Sequence, residues 1–166
     1  SSFYVANWKL NGNFAFIDDY ISKLRFPEDI SKCIVICPIS IHLDYICNKK
    51  NNFYVGAQNV SQYNEGAYTG EISCASLSDL KIDFCIVGHS ERRQIFKENN
   101  FEVNSKIFQL IENTIVPIVC IGETLEDKEN GKTKDVLLKQ LDECIPDSSN
   151  SNNTIIAYEP VWAIGT

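Results

Sequence analysis

The 166-residue chain is 44% hydrophobic and 22% charged, the balance of a soluble single domain with a substantial core rather than a disordered or fibrous chain. Its formal charge of -7 sets a repulsive field against nucleic acids and anionic membranes, so an anionic small substrate would need a local cation held in a pocket. Seven cysteines (Cys33, Cys37, Cys47, Cys74, Cys85, Cys120 and Cys144) form no CxxC pair and accompany only two histidines, which indicates neither a zinc site nor a disulfide framework and fits a reducing, cytosolic setting.

No apolar run approaches the roughly 20 residues of a membrane span, and no charged-then-apolar leader precedes Phe3, so the chain reads as soluble and untargeted. Short β-branched and aromatic runs recur at 3–6, 34–37, 53–55, 84–87, 116–121 and 155–158. Each is apolar on both faces, the pattern of a buried parallel strand. Helical spacing lies between them, first in Phe14, Ile17, Ile21 and Leu24, which Pro27 follows. It returns in Val103, Ile107, Leu110 and Ile111, and again in Leu137, Leu141 and Ile145, where Pro146 closes the helix. Residues 127–132 read as a polar loop before that last helix, and the Ser- and Asn-rich stretch 147–153 as a loop after it. One strand plus one helix is the period. It implies parallel strands joined by right-handed crossovers, in either a closed barrel or an open doubly wound sheet.

The polar signals fall just after strands, at the carboxyl end where both architectures place active sites. They are Asn7-Trp8-Lys9-Leu10-Asn11-Gly12, Gly88-His89-Ser90-Glu91-Arg92-Arg93, Gly122-Glu123-Thr124 and Glu159-Pro160-Val161-Trp162-Ala163-Ile164-Gly165-Thr166. Singly each has an ordinary reading: a turn, a solvated lysine, a structural histidine, the acidic first turn of a helix. Together they could bring a lysine, a histidine and a carboxylate to one pocket. Gly88 to Arg92 starts like a G-x-S-x-G nucleophile elbow, but Arg92 stands where the second glycine must be. The other histidine, His42, follows the second strand, so a serine triad lacks its base. Neither a GxGxxG nor a P-loop is present.

The segments NWKLNG, GAYTGE (66–71), VGHSERR, CIGET and AYEPVWAIGT, in this order and spacing, resemble the triosephosphate isomerase family. The resemblance implies an α/β fold, the parallel (β/α)8 TIM barrel, of which this chain supplies about six βα units. It implies interconversion of dihydroxyacetone phosphate and glyceraldehyde 3-phosphate through an enediolate, in glycolysis and gluconeogenesis, without metal or organic cofactor. The family is itself a standard illustration of tuned acid and base groups. By resemblance Glu159 is the base, facing a water-poor pocket, and His89 polarises the carbonyl as a neutral imidazole. Lys9 supplies the positive charge, Asn7 adds a hydrogen bond, Glu91 orients Lys9, and Ser90 holds the base in the open state. Residues Pro160, Val161, Trp162, Ala163, Ile164, Gly165 and Thr166 match the start of a lid, with the Gly165 amide donating to the substrate phosphate. Thr69, on the loop that in the family enters a neighbouring subunit, would cross a homodimer interface and steady Asn7. Cys120 falls beside the site.

A typical barrel of this type needs about 250 residues. With the last residue inside the lid, roughly 80 residues, two strands and the glycine-rich phosphate contacts that follow them are expected beyond this sequence. Six strands leave the first and sixth as open apolar edges. The main expectation is an isomerase seen in part; the alternative is a truncated, non-catalytic relative acting as an interaction module.

Overall fold

The computed structural model describes residues 2–26 and 31–164. Its six strands are β1 (Ser2–Asn7), β2 (Lys32–Cys37), β3 (Tyr54–Ala57), β4 (Phe84–Val87), β5 (Val116–Ile121) and β6 (Ile155–Tyr158). They lie side by side in sequence order, and every neighbouring pair is parallel. The helices are α1 (Phe14–Lys23), α2 (Leu43–Cys47), α3 (Cys74–Asp79), α4 (Ser90–Ile95), α5 (Asn100–Glu112), α6 (Leu125–Glu129) and α7 (Thr133–Cys144).

The sheet is curled. In a flat sheet β1 and β4 would be three inter-strand spacings apart, about 14 Å. Instead the ring of Phe3 on β1 meets that of Phe84 on β4 edge-on at 5.7 Å, and Tyr54 of β3 meets Phe84 at 5.6 Å. Alternation along the strands then makes two cores. Val35, Cys37, Phe84, Ile86, Ile118 and Cys120 pack inside the curl. Their neighbours in sequence, such as Ile36, Cys85, Val87, Val119 and Ile121, pack outward beneath the helices. A strand buried on both faces has no polar side to show, which is why these runs lack alternation. Gly56 is required inside: a Cβ there would lie 2.5 Å from Cys37 Sγ. This is the parallel α/β architecture of a TIM barrel, present as a partial barrel whose edges are β1 and β6. Both edges expose apolar side chains, Phe3, Tyr4 and Val5 on one and Ile156 on the other.

The helical stripes are met in part: Phe14 of the first stays exposed, and Leu137, Leu141 and Ile145 of the third are only half-buried against the core. α1 buries Ile17, and Val103, Ile107 and Leu110 of α5 are fully buried against the sheet, each contributing about 1.5–3 kcal/mol. Asn13 caps α1 by accepting from the Phe16 amide, and a reciprocal Asn99–Glu102 capping box starts α5. Pro27, expected to end the first helix, lies outside the described residues; Leu24 caps α1. One correction concerns residues 127–132. Residues 127–129 belong to α6, because Thr124 and Asp127 form a second capping box that nucleates a turn despite its polar sequence. The short helices α2, α3 and α4 fill crossovers too brief to show periodicity. Among the described residues no helix is long and apolar enough to cross a membrane, and all seven cysteines are free thiols.

Candidate active site

The ends of β1, β4, β5 and β6 bring the candidate residues onto one rim. Lys9 follows β1 in a left-handed conformation, φ +53°, which costs a non-glycine residue on the order of 1–2 kcal/mol. Two side chains hold it there: Asn7 Oδ1 accepts from the Lys9 amide at 3.0 Å, and Gln58 Nε2 donates to the Lys9 carbonyl at 2.9 Å. Gln58 also reaches the Cys37 carbonyl at 2.9 Å and so ties the ends of β1 and β2 together. The result is an ammonium group whose stem leaves the rim in a fixed direction. Its Nζ lies 2.8 Å from Glu91 Oε1.

His89 caps α4 and is 7% exposed. Its Nδ1 accepts from the Glu91 amide at 3.2 Å, so the neutral ring carries its proton on Nε2. That Nε2 faces Glu159 Oε2 at 4.0 Å. The loop bearing His89 is fixed from behind. Glu98, 6% exposed, accepts from the Gly88 amide at 3.2 Å, from Arg92 Nε at 3.3 Å and from the ammonium of Lys106. Arg93 Nε donates to the Gly88 carbonyl at 2.7 Å, while its Nη2 reaches the Cys120 carbonyl at the end of β5 at 3.4 Å.

Glu159 continues β6, its amide donating to the Ile121 carbonyl at 2.9 Å. Its side chain is 58% exposed, so the water-poor surroundings expected of it are absent in this arrangement. The physical reason is that Glu159 follows β6, which is an edge of the sheet among the described residues. Trp162 Nε1 donates to Glu123 Oε1 at 3.0 Å, and Tyr158 Oη donates to Glu123 Oε2 at 3.1 Å. Lys128 Nζ sits 3.3 Å from the Trp162 ring centroid, and the Val161 amide donates to the Glu123 carbonyl at 3.0 Å. These contacts fasten Val161 and Trp162, within the run Pro160, Val161, Trp162, Ala163 and Ile164, to the β5–α6 side. Gly165 and Thr166 lie outside the described residues.

Glu123 is 1% exposed. Burial pushes its carboxyl up, but donors from Trp162, its own backbone and Tyr158, with the charge of Lys128, outweigh that and hold it below the usual carboxylate range. Burial and the Glu123 carboxylate push the Tyr158 phenol up. Burial, reinforced by Glu159, pushes the Cys120 thiol to about 12, so beside the site it stays a neutral thiol. Ser90 shares the lining of a small cavity with Glu159 and Cys120; no hydrogen bond joins Ser90 to Glu159 among the described residues.

Asn7, Lys9, His89 and Glu91 line an open cavity of about 740 Å3 that extends over Gln58 and Gly70 to Ile95 and Phe96. Thr69, beside that wall, is exposed on a projecting loop where Tyr63 and Tyr68 stack at 3.8 Å. A larger groove of about 850 Å3 runs along α7 and β6, lined by Leu138, Leu141, Ile145 and Ile156. It is the uncovered flank of an edge strand, far from the histidine and its carboxylate partner. The sequence analysis gave no role to Gln58, Glu98, Glu123, Gln140 or Tyr158. Only Glu123 and Tyr158 lay within a quoted motif; they are 35 positions apart, and Glu123's other partner, Trp162, is 39 away.

A parallel β/α barrel segment gathers an ammonium, an imidazole and a carboxylate at the carboxyl ends of its strands, where TIM barrels hold their active sites. Comparison with known proteins narrows this. The family model described as triosephosphate isomerase matches residues 2–166. The triosephosphate isomerase of Francisella tularensis subsp. mediasiatica (strain FSC147) is 42% identical over 167 residues, which cover 98% of this chain and 66% of the relative. That of Colwellia psychrerythraea is 42% identical over 171 residues (98% and 67%), and that of Mesomycoplasma hyorhinis 40% identical over 169 (98% and 69%). The chain belongs to the triosephosphate isomerase family, and spans 66% of the length of the Francisella relative.

Proposed function

We propose that the whole protein interconverts dihydroxyacetone phosphate and D-glyceraldehyde 3-phosphate by proton transfer through an enediolate, and so serves glycolysis and gluconeogenesis in the cytoplasm. The observation that carries this reading is the facing pair of Glu159 and His89 Nε2, 4.0 Å apart, beside the fixed ammonium of Lys9.

Groups at that separation can address adjoining atoms of a three-carbon substrate. Glu159 takes the proton from one carbon as its C–H bonding pair moves into the new C=C bond, and returns it to the neighbouring carbon. Nothing is oxidised or reduced overall. His89, with Nδ1 committed to the Glu91 amide, presents an Nε2–H donor to the carbonyl oxygen where negative charge develops. Lys9 offers the positive charge that an anionic triose needs against the formal charge of -7 carried by these 166 residues. Asn7 Oδ1 is engaged by Lys9, which leaves its Nδ2 hydrogens for the substrate. The exposed carboxylate belongs to an open state; release of Trp162 from Glu123 lets the lid close, exclude water and strengthen the base. Gly165, by family resemblance, donates to the phosphate from that closed lid.

The second copy of a homodimer is proposed for the face carrying Leu10, Ile95 and Phe96, which are 90%, 67% and 64% exposed. There Thr69 would reach the neighbouring site beside its Asn7. The enediolate route is tested by incubating dihydroxyacetone phosphate with the full-length enzyme in D2O. NMR should show deuterium in the product at the carbon that receives the proton, because the protonated Glu159 carboxyl exchanges with solvent before delivering it. Turnover without such exchange, together with intramolecular hydride retention, would exclude proton abstraction.

A further inference from the structure

Taking Glu159 as the base, we propose that Gly122 and Gln140 are its positioning residues: a glutamine on α7 fixes a glycine at the end of β5, and the backbone of the base rests on that glycine. Two observations meet here. Gln140 grips Gly122 by both main-chain groups, Oε1 accepting from the Gly122 amide at 2.9 Å and Nε2 donating to the Gly122 carbonyl at 3.2 Å. Gly122 in turn leaves no room above its Cα. A Cβ there would run into the carbonyl oxygen of Glu159, come 2.8 Å from its carbonyl carbon and 3.5 Å from Pro160 Cα.

Gly122 has no positive φ that would call for glycine on backbone grounds; its requirement is steric. Carbon against carbon needs about 3.5 Å, so a methyl group at 2.8 Å forces the backbone at Glu159 to move by at least ~0.7 Å. The strand ladder keeps the base in register through Glu159 N and Ile121 O, but the ladder does not set how far the carboxylate stands from His89. The Gly122 surface does, and Gln140 keeps that surface from rotating. Neither residue touches the reacting atoms.

The test is a pair of variants in the full-length enzyme. Gly122→Ala should lower kcat by about 10- to 100-fold, since misplacement near 1 Å costs on that order, with a smaller rise in KM because Lys9 keeps its place while only the lid residues after Pro160 follow the displaced backbone. Gln140→Met removes both hydrogen bonds and should lower kcat about 5- to 20-fold, an order set by one or two lost positioning bonds. It should also shift the acid limb of the kcat/KM profile, and Gln140→Glu, which keeps the acceptor for the Gly122 amide, should recover part of the loss. If Gly122→Ala does not fold, the Gln140 pair decides. Parental kcat and an unchanged pH profile in Gln140→Met, with only a lower melting temperature, would reduce the clamp to a structural role and overturn the proposal; so would Gly122→Ala with kcat within twofold of the parent. Should the parent itself lack isomerase activity, the functional reading fails, and positioning is judged by crystallography instead. A Glu159 carbonyl displaced by more than about half an ångström in Gly122→Ala supports it, and superimposable backbones refute it.

Discussion

Replacing Glu98 by Gln strikes the one buried carboxylate that stands behind the His89 loop. Glu98 and Lys106 are each 6% exposed, and Glu98 accepts from Lys106, from Arg92 Nε at 3.3 Å and from the Gly88 amide at 3.2 Å. Glutamine keeps the shape and one acceptor: with its oxygen toward Lys106 and Arg92, its NH2 group meets the Gly88 amide donor to donor, and the Lys106 ammonium loses its counter-charge. Asn59 Oδ1, 2.9 Å from Lys106 Nζ, remains and offsets only part of that loss. Breaking a buried pair on one side costs about 3–5 kcal/mol. For a domain of this size each kcal/mol lowers Tm by roughly 2–4 °C, so Glu98→Gln should melt about 6–20 °C below the parent by circular dichroism. A second substitution, Lys106→Met, removes the stranded charge; the double variant should regain at least half of the lost stability, a coupling read from the full cycle. A Glu98→Gln protein less than about 1 kcal/mol destabilised, or a double variant less stable than the sum of the singles, would refute the reasoning.

Other outcomes follow from groups around the lid and in the core. The Glu123 carboxyl is held below its ordinary value near 4.5, so its contribution is present above that pH and is lost as pH falls through the lower folded value. The Trp162 emission of a Trp8→Phe variant should therefore change in a step below pH 4.5, and Glu123→Gln should abolish the step; an unchanged step would contradict the contact. Among the thiols, burial raises Cys37 and Cys120 to about 12 and Cys74 to about 11, and pushes Cys85 well up. With a pKa near 12 a thiol is only about one part in ten thousand thiolate at pH 8. A chromogenic disulfide reagent should thus modify the partly exposed Cys33 and Cys47 first and the other five only on unfolding, as peptide mapping would show.

Much of the fold was legible because parallel strands announce themselves. The expected runs 84–87, 116–121 and 155–158 coincide with β4, β5 and β6, each apolar throughout and followed by glycine or glutamate. β3 was placed early, at 53–55 instead of Tyr54–Ala57, since Gly56 and Ala57 are weak strand formers. Glycine is there because Cys37 occupies the space, a fact of packing that local preference does not carry. α6 was missed although its capping box, Thr124 with Asp127, was present in the sequence.

The candidate site was legible where chemistry sits directly after a strand, as with Lys9, His89, Glu91 and Glu159. It was not legible where the role comes from a distant partner. Gln58 supports Lys9 from 49 positions away, and Gln140 holds Gly122 from 18. The Trp162–Glu123 contact was equally hidden, because its two partners lie 39 positions apart.

Whether Glu159 is the proton-transferring base is decided by the steady-state turnover of dihydroxyacetone phosphate by the full-length protein and its Glu159→Gln variant. A base at Glu159 requires a parent active as an isomerase and a variant whose kcat falls by about 10²- to 10⁴-fold with KM little changed. A variant that turns over within twofold of the parent would contradict it.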